Sequence, residues 1–213
     1  SEMCIRDSYK NAEGKVIQPD AVPGDVRFRD IDGNGEIDED DKIYSGSGIP
    51  KLEANLNLGI SYKGFDFSML LGSGWGHKLY NANRFYFEGM SSPSNFFKTT
   101  LNAWTDSNHS TSMPRAVLGD PNRNSRESTR FLENGNFVRC RQLQLGYNLP
   151  TSLLKKIQIE KLRIYVSGEN LFTITDYSGI DPEFSRSSVL NTGVDNLCLL
   201  YTSPSPRDYA ASR

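Results

Sequence analysis

From Lys51 onward the chain alternates between apolar and polar side chains. Leu52, Ala54, Leu56, Leu58, Ile60 and Tyr62 fall on one side of an extended backbone, and Lys51, Glu53, Asn55, Asn57, Gly59 and Ser61 on the other. A period of two held this long predicts a strand with one greasy and one wet face. Lys63-Gly64 then predicts a tight turn into a second strand. There Phe65, Phe67, Met69 and Leu71 oppose Asp66, Ser68, Gly72 and Gly74, with Leu70 breaking the polar side and Trp75 and Tyr80 toward its far end. A third strand, from about Phe137 to Leu149, sets Leu143, Leu145, Tyr147 and Leu149 against Gln142, Gln144, Gly146 and Asn148. Its first half is out of phase, because Arg139 and Arg141 fall on the otherwise apolar side. Either that end lies outside the apolar band or the strand bulges there. Pro150 and Thr151 to Lys156 predict one short helical turn. A fourth strand sets Leu162, Ile164, Val166, Phe172 and Ile174 against Arg163, Tyr165, Ser167, Glu169 and Thr173.

These runs exceed the ~5–6 residues usual in globular sheets and fit the ~9–11 tilted residues of a bilayer crossing, with overhang. Connection lengths alternate: a long acidic loop, the Lys63-Gly64 turn, a long insert over residues 82–135, the short Pro150 turn, then a further loop opened by Gly179-Ile180-Asp181-Pro182-Glu183. Outer-membrane barrels combine short periplasmic turns with long outer loops. This parity places the acidic loop (residues 24–50) and residues 82–135 outside the cell, and Lys63-Gly64 and Leu149 to Lys156 in the periplasm. The expected fold is all-β: an open antiparallel sheet of about four long strands, part of a transmembrane β-barrel, with long extracellular loops and a short helical turn. Its edges should be free, and the face bearing Leu56, Leu58, Phe67, Leu145 and Val166 should be exposed. A soluble β-sandwich also alternates, but it uses shorter strands and buries its apolar face under a second sheet.

The densest chemistry lies before the first strand, in Asp30-Ile31-Asp32-Gly33-Asn34-Gly35-Glu36-Ile37-Asp38-Glu39-Asp40-Asp41. A calcium loop of the EF-hand kind takes oxygen ligands from positions one, three, five, seven, nine and twelve, with glycine at six. Asp30, Asp32, Asn34, Glu36 (by its backbone carbonyl), Asp38 and Asp41 occupy those places, and Gly35 sits at six. Asp at position twelve is shorter than the usual Glu, which implies weaker binding. Pro23-Gly24 and the strand-like Asp25-Val26-Arg27-Phe28-Arg29 precede the loop, so no helix flanks it there. A solvated acidic turn is the plainer reading. In either case the loop's role is structural.

In the insert, Phe85-Tyr86-Phe87, Phe96-Phe97 and Trp104 stand out, with a short helix expected from Ser94 to Trp104 and a polar run from Asp120 to Thr129. Inserts this long usually carry function. Phe85, Tyr86, Phe87 and Trp104 could stack on sugars or touch a partner protein; packing against the barrel rim is the favoured alternative. His77 and His109 have no partner cluster. No nucleophile–base pair, phosphate-binding loop or catalytic zinc spacing occurs, so an enzyme is not expected.

Over 213 residues the net charge is −2, which argues against a nucleic-acid partner. Residues 1–8 and 196–213 resemble translated sequencing adapters and are set aside from the fold. That leaves Cys140 alone in the remainder, so no disulfide is expected.

Gly24 to Asp38, Gly48-Ile49-Pro50-Lys51, Gly59 to Asp66, Gly135-Asn136-Phe137-Val138-Arg139, Leu145 to Pro150, Gly168-Glu169-Asn170-Leu171-Phe172 and Gly179 to Glu183 together resemble the C-terminal part of SusC/RagA-type TonB-linked outer-membrane proteins of Bacteroidota. The resemblance spans residues 9–195. It implies an energised importer of oligosaccharides or peptides in the Gram-negative outer membrane. A SusD-like surface lipoprotein caps the barrel, and TonB supplies force through an N-terminal part expected upstream. Cys140 stands where a larger aliphatic residue is expected, and the family's closing strand is expected soon after Val194-Asp195. The alternative is a secreted calcium-dependent carbohydrate-binding β-module, which would be soluble and monomeric.

Overall fold

The protein is described by a computed structural model over residues 9–10, 13–109, 111–154, 159–183 and 192–195. The adapter-like ends, 1–8 and 196–213, lie outside the described residues. The chain divides into two compact units, Ser47–Leu79 with Glu133–Gly193, and Ser1–Gly46 with Tyr80–Leu132 and Val194–Arg213.

The first unit is built on the four long strands. β1 (Leu52–Tyr62), β2 (Phe65–Trp75), β5 (Phe137–Asn148) and β6 (Arg163–Thr175) form one antiparallel four-stranded sheet in the order β1-β2-β5-β6. Among the described residues β1 and β6 are free edges, and the barrel is not closed. Lys63 and Gly64 join β1 to β2 with φ of 47° and 90°. Positive φ at both central residues is the type I′ geometry whose twist matches paired strands. Between β5 and β6 lies α2 (Thr151–Leu154), the expected single helical turn.

The phase break in the third strand is a bulge. Met69 lies opposite Leu143 but Leu71 opposite Cys140, so β5 holds one extra residue beside β2. The extra residue brings Cys140 and Val138 into the apolar phase and turns Arg139 to the polar face, opposite Gly72 and Thr173. β6 answers with one extra residue beside β5, two relative to β2: Leu143 faces Gly168 and Cys140 faces Phe172, with Asn170 between them at φ 50°. Cys140 is fully buried in this row.

The second unit is mostly loop, with features the sequence did not announce. β3 (Lys78–Asn81) spans the division between the units. Its Tyr80 and Asn81 run parallel to Val194 and Asp195, which form the short strand β7. α1 (Ala82–Phe87) is capped by Asn81, whose side chain accepts from the Arg84 N–H. The helix expected from Ser94 to Trp104 is absent; only a 3-10 turn forms, at Lys98–Asn102. Short polar side chains and adjacent β-branched residues (Ser94, Asn95, Thr99, Thr100) disfavour a continued α-helix there. A second 3-10 turn, Thr129–Phe131, leads into β4 (Leu132–Asn134). Apolar burial in this unit is sparse among the described residues: Ile17, Val26, Phe28, Ala82, Met90, Met113 and Phe131.

Candidate functional site

The strand register assembles rows of side chains on one face of the four-stranded sheet. Nearest the Lys63-Gly64 turn, Tyr62, Phe65, Tyr147 and Ile164 lie side by side, with the Phe65 and Tyr147 rings 4.4 Å apart. Then come Ile60, Phe67, Leu145 and Val166, followed by Leu58, Met69, Leu143 and Gly168. Beyond the bulges the row is Leu56, Leu71, Cys140 and Phe172, and Leu52 faces Trp75 at the far end. Much of this face is exposed, with Ile60 64% exposed, Leu145 50% and Val166 74%, while Met69, Leu71 and Leu143 are half-buried and Cys140 is buried. Phe67, on an inner strand, is half-buried by its neighbours rather than fully exposed. A largely aliphatic face with an aromatic row at its turn end and Trp75 at the other resembles the lipid-facing band of an outer-membrane barrel. No helix among the described residues is long and apolar enough to cross a membrane, which says nothing of strands.

The opposite face carries Asn55, Asn57, Ser68, Gln142, Gln144, Ser167 and Glu169 in register. Two ion-pair groups sit on it. Arg163 reaches across the strand of Gly146 to Asp66, with Nε 3.1 Å from Oδ1 and Asn148 also donating to that carboxylate. Toward the other end Arg139 pairs with Asp181 and Glu183, and Arg141 with Glu183.

In the second unit the acidic loop closes on itself. Asp30 accepts from the N–H groups of Gly33 (2.7 Å) and Gly35 (2.9 Å). Asp41 accepts from those of Ile31 (2.6 Å) and Asp38 (3.0 Å), and Asn34 accepts from that of Glu36 (2.8 Å). Gly33 and Gly35 both adopt positive φ, the conformation that glycine takes without strain. Of the six expected ligands, Asp30, Asp32 and Asp41 offer oxygens within 4.8 Å of one another. The Asp38 side chain caps the Asp40 N–H at 2.9 Å outside that cluster, and the Glu36 carboxylate pairs with Lys15 at 3.3 Å. The three gathered oxygens suit a hard divalent cation, while the backbone bonds hold the loop's shape without one.

The insert aromatics divide. Phe85 packs edge-on to Phe131 at 5.7 Å, and Phe87 lies against Phe97 at 5.1 Å. Trp104 stacks on His109 at 5.1 Å and presses on Gly24, where a Cβ would lie 2.5 Å from the indole. Only Tyr86, 54% exposed, offers most of its ring to solvent. Packing within the loop therefore accounts for Phe85, Phe87 and Trp104.

Sequence reasoning missed the polar centre of this unit. Asp25, fully buried, accepts from Arg115 Nε at 2.7 Å, from Asn124 Nδ2 at 2.8 Å and from the Val22 N–H at 2.9 Å. Gln18 donates to the Val26 carbonyl and accepts from the Phe28 N–H, and Asn122 donates to the same Val26 carbonyl. Nearby, Glu88 is clasped by Arg84, Arg130 and Thr99. Burial, with the charges of Glu127 and Tyr86, pushes the Tyr80 phenol up to about 12.

No family model matches the chain. TonB-dependent receptor P3 of Formosa agariphila is 37% identical over 186 residues, covering 84% of this chain and 18% of the relative. TonB-dependent receptor SusC of Bacteroides thetaiotaomicron is 30% identical over 175 residues, covering 79% and 16%. A solved structure of the RagAB peptide transporter superposes with a TM-score of 0.63 at 30% identity, over 76% of this chain and 17% of that one. The chain belongs to the SusC/RagA family of TonB-dependent receptors. It spans about a fifth of the length of the curated relatives it matches.

Proposed function

We propose that this chain is a stretch of the wall and outer loops of a TonB-dependent importer in the Gram-negative outer membrane. Its substrates are oligosaccharides or peptides, TonB drives it, and a SusD-like lipoprotein caps it on the outside. The observation that carries the reading is the set of largely exposed apolar rows across four strands, closed at the turn end by Tyr62, Phe65 and Tyr147 and bearing Trp75 at the other. Water does not reward such a face, whereas hydrocarbon does. The polar face then lines the passage, and residues 24–50 and 82–135 lie on the lipoprotein side. The RagAB relative supports peptide as one substrate class. Alone, four open strands would leave backbone groups unpaired in lipid, so import belongs to the complete barrel.

Lipid-soluble photoprobes applied to the receptor carrying this chain should label Leu56, Phe67 and Val166 and spare Asn57, Ser68 and Gln144. Labelling of neither set, or purification of the receptor as a monomer without detergent, would instead favour the secreted calcium-dependent carbohydrate-binding module. The same reading gives calcium a structural place at Asp30, Asp32 and Asp41, where it would tie the loop together and perform no chemistry.

A further inference from the structure

The segment after β6 folds back onto the polar face of the sheet. Arg139, turned to that face by the bulge, donates from Nε to Thr173 Oγ1 at 3.0 Å and pairs with both Asp181 and Glu183, the latter at 3.2 Å. Arg141 pairs with Glu183 as well. Gly72 makes room for this: a Cβ there would lie 2.3 Å from Arg141 Nε and 3.0 Å from Cζ, so the guanidinium rests on bare backbone. On the acidic side, the Glu183 N–H donates to Asp181 Oδ1 at 2.8 Å, and Pro182 fixes the backbone between the two carboxylates. Two forked cations thus stand on a rigid strand, and two carboxylates are presented to them by a short preformed turn. Guanidinium–carboxylate pairs of this kind are the strong, geometrically selective ones. Partial exposure also makes them exchangeable: the side chains of Arg141 and Glu183 are 42% and 32% exposed.

We propose that Arg139 and Arg141 form a carboxylate-recognition site on the polar face, occupied in this structure by the chain's own Asp181-Pro182-Glu183 strap, and that an acidic peptide displaces the strap. Arg139 is the third residue of β5, at the end where the long insert enters the sheet. The strap therefore sits at the loop end of the polar face, and its release clears that face. This deepens the importer reading, since it rests on the polar face lining the passage and assigns carboxylate-bearing peptides as the solutes that open it.

The test is hydrogen exchange at the Glu183 amide in the detergent-solubilised receptor carrying this chain, with triglutamate as probe. Exchange should rise roughly fivefold with triglutamate, the scale of partly exposed ion pairs. It should rise similarly in Arg139→Gln/Arg141→Gln without peptide, and triglutamate should then add nothing. Arg139→Lys/Arg141→Lys, which keeps both charges, should exchange more slowly than the glutamine pair, which separates loss of pairing from loss of fold. Unchanged exchange in the double glutamine variant would overturn the strap. An equal rise with sodium chloride at matched ionic strength would overturn carboxylate recognition. Either failure leaves the importer reading standing, because that reading is judged separately by lipid-probe labelling.

Discussion

Arginine placed on either face of β1 tests the wall directly. Phe65 to Trp75 spans ten residue steps of β2, about 34 Å of strand at ~3.4 Å each. At the ~45° tilt of membrane strands that is roughly 24 Å of depth, close to the ~25 Å apolar band of outer-membrane barrels. Leu58 lies opposite Met69, four steps from the Phe65 row. It therefore sits about 10 Å inside one aromatic border, near mid-band. Leu58→Arg should cost about 2–4 kcal/mol, the penalty for a cation near the bilayer midplane, and Tyr62→Arg, in the border row, only ~0–1 kcal/mol. Asn57→Arg, one residue away on the polar face, should cost close to nothing. Guanidinium unfolding of the receptor in lipid vesicles, followed by tryptophan fluorescence, measures all three. Equal losses for Leu58→Arg and Asn57→Arg would refute the two-faced reading. Equal losses for Leu58→Arg and Tyr62→Arg would refute the depth assignment.

Four further outcomes are expected. Asp25→Ala leaves Arg115, Asn124 and the Val22 N–H without their shared acceptor and should destabilise the loop unit by about 3 kcal/mol; exchange at the Val26 amide reads it, and a twofold or smaller change would contradict it. Gly48→Ala should cost at least ~1–3 kcal/mol, because its Cβ would lie 2.3 Å from the Thr192 carbonyl oxygen and 2.8 Å from Gly193 Cα; an unchanged midpoint in chemical unfolding would show that those backbones separate freely. Burial lowers the His77 pKa, and its Nδ1 has no hydrogen-bond partner, so His77 stabilises the fold in its neutral form. That contribution is complete above the ordinary histidine value near ~6.5 and is lost as pH falls from there through the depressed folded value; the protection factor of the Gly135 amide, which donates to the His77 carbonyl at 3.1 Å, should fall as pH drops, and not in His77→Phe. Calorimetry should detect calcium binding that Asp30→Ala/Asp32→Ala abolishes, and no heat at millimolar calcium would remove the ion from the loop.

The strands were legible because their two faces differ in polarity. Their observed limits fall within a residue or two of the alternation, and the Lys63-Gly64 turn carries its own chemistry. The single extra residue in β5 was visible as Arg139 and Arg141 out of phase, since an odd insertion inverts the faces. The extra residue that β6 holds beside β5 was invisible for the complementary reason: with the one in β5 it makes two relative to β2, and an even insertion restores the phase, so Val166 and Phe172 read as one uninterrupted strand although their partners Leu145 and Cys140 stand an odd number of residues apart.

The loop unit resisted the same method because its interior is held by amides and ion pairs rather than apolar periodicity. Gln18, Asn122 and Asn124 are buried through bonds to the Val26 and Phe28 backbone, yet in sequence they look like any polar loop. The aromatic triplet misled for a geometric reason. On α1 three consecutive residues point about 100° apart, so Phe85 turns in to Phe131, Phe87 meets Phe97, and only Tyr86 remains outside. Of the triplet, only Tyr86 is left in a position to touch anything beyond the loop. The Asp25–Arg115 pair shows the same kind of interior. It ties the segment before the acidic loop to residues 115–124, and removing either partner would leave a buried charge uncompensated.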